Sequence, residues 1–159
     1  MVDKNQAIIE FLMDCPQIAE NATYFNFTDA EDGSKSIITV ANDKVTDRPY
    51  IDGSVKKRFS FTIVDFRSIS NMPVPKDTDF VNENVEELLD VQGIIDWVTD
   101  KADNKQYPDF GTDCIIDDMR TATDNPVLNG VDQTGRPHLA KYSMSIFIDY
   151  IDTSKRAWS

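Results

Sequence analysis

The chain has 159 residues, 40% of them hydrophobic and 10% aromatic, with a formal charge of -12 and a sequence pI near 4.3. That length suits one hydrophobic core, and the composition is too apolar for global disorder. The acidic balance excludes the basic footprint of tight nucleic-acid binding, and no apolar run is long enough for a bilayer span. The charge serves solubility, or a surface that repels nucleic acid or meets a basic partner. Met1 to Asn5 lacks the basic flank and apolar block of a secretory signal, so a cytosol-like compartment is expected.

Asp3 or Asn5 is placed to cap a first helix that runs to about Cys15, where Pro16 stops it. Its stripe is Ile8, Phe11, Leu12 and Cys15, one face of a helix that needs a sheet to lie on. Thr23 to Phe27 and Ser36 to Val40 read as two strands, and the turn-rich segment between them, from Asp29 to Lys35, predicts a hairpin. Asn42 to Lys56 is a long connection punctuated by Pro49 and Gly53. Lys57 to Ser68 is a third strand in which Phe59, Phe61 and Ile63 share one parity and Val64 and Phe66 the other. That switch predicts a bulge near Ile63 or a strand covered on both faces. Asn71 to Thr78 carries two prolines and reads as a loop.

Asn84 opens the main helix, with Glu86 and Glu87 at its positive end and a stripe of Leu88, Val91, Ile95, Val98 and Ala102. Gly93 weakens its interior by about 1 kcal/mol relative to Ala. Trp97 lies off the stripe, where it packs on a neighbouring loop or marks an interface. A fourth strand covers Cys114 to Arg120, and a second large loop runs from Thr123 to Pro137. From Ala140 to Tyr150 the even positions are apolar or aromatic and the odd ones polar, with Phe147 the exception. This is a long strand with one buried face, and it should pair with the fourth. The order predicts an α+β single domain: an antiparallel or mixed sheet of about five strands with the N-terminal and main helices packed on it.

No catalytic set is legible. His138 is the one histidine, and it follows Pro137 at the mouth of a strand with no partner visible in sequence. Cys15 and Cys114 read as small core residues, and with one histidine they lack paired zinc-ligand spacing. Asp29, Glu31 and Asp32 match an EF-hand loop poorly, and no glycine loop suits a phosphate. Of Asp117 and Asp118, one should face solvent and the other the opposite side of the strand. No catalytic residue, cofactor or metal is therefore expected. Arg48, Lys56, Lys57 and Arg58 stand out around the connection, with Tyr50 and Ile51 between them. They are solvated loop charge, or a docking arm that meets an acidic face of an identical neighbour.

This arrangement resembles the tail terminator (tail completion) proteins of long-tailed bacteriophages. The corresponding parts are Gln6 to Cys15, Thr23 to Ser68, Asn84 to Asp103 and Cys114 to Ile151. The resemblance is architectural and carries no site residue. It implies a structural virion protein that forms a hexameric ring with copies of itself at the tail–neck junction after assembly in the host cytoplasm. Its further partners would be the tail tube protein and the head connector or neck proteins. DNA would pass through the lumen without specific binding, and no membrane is involved. Interface candidates are Arg48, Tyr50, Ile51, Lys56, Lys57, Arg58 and Trp97. The alternatives are another neck, head-completion or tail-tube protein, a small enzyme with an unrecognised site, or a host-side binding module.

Overall fold

In a computed structural model, residues 3–19, 22–28, 30–39, 43–44, 50–69, 83–133 and 138–154 are described. Asp3 is the first cap: its carboxylate accepts from the Asn5 N–H at 2.9 Å and opens α1, Lys4–Leu12. α1 ends at Leu12, short of the Cys15 expected, and Pro16 starts a second helix, α2, Pro16–Ala19, because a proline at the first helical position gives up only an N–H that would have no partner. The sequence reading missed α2, a single turn. The long helix α3, Glu83–Asp103, closes with Lys105 at φ 54, a left-handed residue that lets the Gln106 N–H reach the Lys101 carbonyl at 2.8 Å.

The strands are β1 Thr23–Phe25, β2 Lys35–Thr39, β3 Asp43–Lys44, β4 Val55–Ile69, β5 Cys114–Thr121, β6 Val127–Asp132 and β7 His138–Asp152. They form one seven-stranded sheet in the order β1-β2-β4-β7-β5, with β3 also on β4 and β6 also on β7. Two of its five positions are thus split between two short strands. β4 and β7 form an unbroken antiparallel ladder from Val55↔Asp152 to Ile69↔His138. β7 pairs with β5 as the sequence indicated.

Two strand expectations are corrected. β1 and β2 are parallel, not a hairpin. Asn26, at φ 51, turns the chain out of β1 after three strand residues, and its side-chain oxygen takes the Thr39 N–H at 2.9 Å in place of a backbone partner. The chain then returns through Gly33, φ 81, whose N–H donates to the Phe66 carbonyl. The second large loop contains β6, which pairs with β7 through Val127↔Ser143 and Leu128↔Tyr142 before the register shifts. Gly130, at φ 140, lies in that shift and obscured the strand in sequence. Asn71 to Thr78 lies outside the described residues.

The even face of β7 and the α3 stripe belong to one core with Ile8, Leu12, Ile18, Phe59, Phe61 and Ile63; Leu88 and Ala102 pack at its margin. Ile94 is buried with them, unforeseen by the stripe. A Cβ on Gly93 would run into the Gln17 amide, so the glycine marks where α2 crosses α3. Among the described residues no helix is long and apolar enough to cross a membrane.

The parity switch in β4 has a clear cause. Its ladders to β2 and β7 run without a bulge, so the strand is covered on both faces. The core parity continues past Ile63 to Asp65 and Arg67, while Val64 and Phe66 are buried on the other face. Asp65 sits 3.4 Å from the Lys35 ammonium and takes two hydrogen bonds from Arg67, at 2.9 and 3.1 Å. Lys35 also donates to the Gly33 carbonyl at 3.0 Å, and Arg67 reaches Glu87 and Asp90 on α3. Burial pushes Asp65 up and Lys35 down, each opposed by its partner's charge.

Ile146→Ala should destabilise the protein by ~2–5 kcal/mol, since Ile146 is buried in this core. Lys141→Glu on the opposite face should leave the urea midpoint nearly unchanged. A folded Ile146→Asp protein would refute the strand assignment. Asp65→Asn should cost ~3–5 kcal/mol in urea unfolding, because it leaves two buried cations without their shared anion. A wild-type midpoint would show that the cluster is not a clamp.

Candidate interaction surface

The sequence ends the connection at Lys56 and opens the third strand at Lys57; the structure starts β4 at Val55, so Lys56 joins Lys57 and Arg58 inside the strand. β3 pairs back on them through Asp43↔Arg58 and Lys44↔Lys57, so the connection is the far end of a hairpin. Its described tip is a tight turn. The Tyr50 N–H donates to the Ser54 carbonyl at 2.7 Å, and the Gly53 N–H to the Tyr50 carbonyl at 2.9 Å. Asp52 accepts from the Ser54 N–H and hydroxyl at 2.9 and 2.6 Å, and Gly53 supplies the required φ of 91. Ile51 at the apex is 101% exposed and Tyr50 47%. Arg48 lies outside the described residues.

The three described cations of the basic cluster are paired within the chain. Lys56 meets Asp117 at 3.0 Å, Lys57 meets Asp152 at 2.9 Å, and Arg58 meets Asp149 at 2.8 Å. As a group these cations brace the base of the hairpin against β5 and β7. A bulge between Ile116 and Asp118 puts both acids of that pair on the helix-free face, against the expected alternation. Asp117 takes Lys56, and Asp118 takes Arg120 at 2.9 Å.

Phe147, the exception in the last strand, lies among these charges. The Arg58 guanidinium sits 5.2 Å from its ring centre and the Arg120 guanidinium 5.5 Å. Both also bond Asp149 beside it, Arg120 at 3.1 Å. An aromatic ring on a polar face is held there by two cations rather than by the core. Desolvation at Asp149 works to raise its pKa, but the hydrogen bonds from Arg58 and Arg120 outweigh it and hold the carboxyl below its ordinary value. At Asp152 desolvation is likewise overcome, by Ser154 and Lys57.

Trp97 packs on α1, not on a loop. Its ring lies 5.0 Å from that of Phe11, with the Lys101 ammonium 5.5 Å above it. Half-buried, it joins α1 to α3. Cys15 is fully buried, and burial pushes its thiol up. Cys114 is half-buried at a cleft of about 160 Å³ lined also by Lys4, Phe110, Asp113 and Asp152, and burial raises its thiol too. His138 starts β7 opposite Ile69. Asp32 accepts from the Ser68 N–H at 2.8 Å, tying its loop to the end of β4. Among the described residues no group of three or more His, Cys, Asp or Glu side chains is placed to hold a metal ion.

No protein-family model matches the chain, and no curated protein is significantly similar to it.

The depressed carboxyls set a pH dependence. A carboxyl with a lowered folded-state pKa stabilises the fold above its unfolded value of about 4, and that contribution is lost as pH falls through the folded value. Thermal melts should therefore fall steeply below about pH 4. The Asp149→Asn, Asp152→Asn double variant should be less stable at neutral pH and show a flatter acid limb. An unchanged limb would remove these two groups as the cause.

Proposed function

We propose that this chain is a structural virion protein: a ring of identical copies that ends a phage tail tube and joins the tail to the head connector. It works by contact rather than by catalysis. The observation that carries the reading is the hairpin of β3 and β4. The first residues of β4 stay paired with β7, three ion pairs brace that end of the strand, and the turn just before it presents a fully exposed Ile51 beside Tyr50. Polar ordering below an apolar tip is the form of a docking arm, and aromatic residues are frequent anchors of such contacts. The partner for this arm is the tail tube or a neck protein. The net charge of -12 suits a ring whose wall must let DNA pass without adhesion.

The test is a Tyr50→Ala, Ile51→Ala double variant in virions. Its fold should be intact, since both side chains are exposed. Electron microscopy should show tails of uncontrolled length or tails without heads. Normal virions would remove the arm as an essential contact.

A further inference from the structure

We propose that copies of this chain associate edge to edge, with the β1 edge of one copy added as an antiparallel strand to the β6 edge of the next. The contact stands on register and exposure; its closure into a ring rests on the reading above.

The sheet register brings the two edges level. Thr23 pairs with Lys35, Lys35 with Asp65, Asp65 with Tyr142, and Tyr142 with Leu128. β1 and β6 therefore end the same row of the sheet, one on each side. The strand directions also agree. β1 is parallel to β2, and from β2 the strands β4, β7 and β6 are reached through three successive antiparallel pairings, so β1 and β6 run oppositely. A second copy moved sideways along the sheet presents its β1 to β6 as an antiparallel partner. That is a heterologous contact, the kind that closes rings.

The two edges match chemically. Leu128 and Val131 pair with Tyr142 and Ala140, which face the core, so both lie on the helix side of the sheet. They are exposed there, as are Val85 and Leu89 on the neighbouring stretch of α3, and Gln92 ties that helix to the turn before β6 by donating to the Asp124 carbonyl at 2.7 Å. On the other edge Phe25 pairs with Ile37, again on the helix side, and stands partly exposed, with Phe27 60% exposed just beyond. Joining the edges lays this aromatic pair against the aliphatic strip.

Charge selects the same row. Edge strands are ordinarily guarded by charged side chains. β5, at the other end of its side, carries Asp117, Asp118 and Arg120. β1 and the residues after it to Thr28 contain no charged residue, and β6 carries one, Asp132, at its last position, in a chain of net charge -12. These are the strips along which like-charged copies approach with least repulsion.

Size-exclusion chromatography with light scattering tests this on the whole chain, using Phe25→Glu and Leu128→Glu, with Phe27→Glu as the β1-edge variant if the first does not fold. Circular dichroism checks each fold. The wild type should self-associate, and each variant alone should lose every species above monomer. An equal mixture of the two should form a dimer, because one intact β6 edge then meets one intact β1 edge. A wild type that stays monomeric at its highest soluble concentration overturns the proposal. So does assembly that neither variant changes, or a variant that still dimerises alone. Edge association in a protein that leaves tails untouched sinks the tail reading and keeps the edge contact.

Discussion

Everything in this fold hangs on the ladder between β4 and β7. Fifteen residues of each strand pair without interruption, and each other strand except β1 attaches to the outer side of one of them. The backbone hydrogen bonds of such a pair are satisfied from end to end, which fixes the side-chain parity of both strands at once. One face then has to be the core and the other has to be something else. The helices α1 and α3 cover the first. The second carries Phe147 and the Arg58, Arg120 and Asp149 charges around it.

Parity on a shared ladder also forces a choice at Asp65 and Arg67. They fall on the core side because Phe59, Phe61 and Ile63 do. Two charges taken out of water are costly unless each finds a partner of good geometry. Lys35 from β2 and two acids from α3 supply those partners, so a strand, its neighbour and the main helix meet at one electrostatic point. A hydrophobic patch in that place would hold these elements together without fixing how they sit. Ions with directional hydrogen bonds specify one arrangement, at the expense of some stability.

Legibility followed the length of the signal. The long, regular β7 and the α3 stripe were readable because their periods repeat several times. The three-residue β1 carries no information on polarity, and β6 has a glycine and an asparagine in the middle. Charged residues read as solvent-facing by default, which hid the burial of Lys35, Asp65 and Arg67. The basic cluster was visible as composition but not as structure. The acids that pair with Lys57 and Arg58 lie 95 and 91 positions away, and no local pattern announces them. Phe147 broke its alternation for a reason that needs two arginines from two other strands, one of them 89 positions before it in the chain and neither beside it in sequence. Of the residues proposed for the arm, Tyr50 and Ile51 stand exposed, while Lys56, Lys57 and Arg58 are internal braces.

The splitting of the sheet's outer positions has a mechanical result. β5 and β6 lie end to end along one unbroken strand, joined by a turn at residues 122–126. Peeling one of them does not unzip the other, because the hydrogen bonds of each go to separate stretches of β7. The two ends of the domain therefore breathe independently, as separate units of local opening. Amide exchange would resolve them as two rates: a slow one at the end clamped by ion pairs around Asp149, and a faster one beside the bulged, exposed β6.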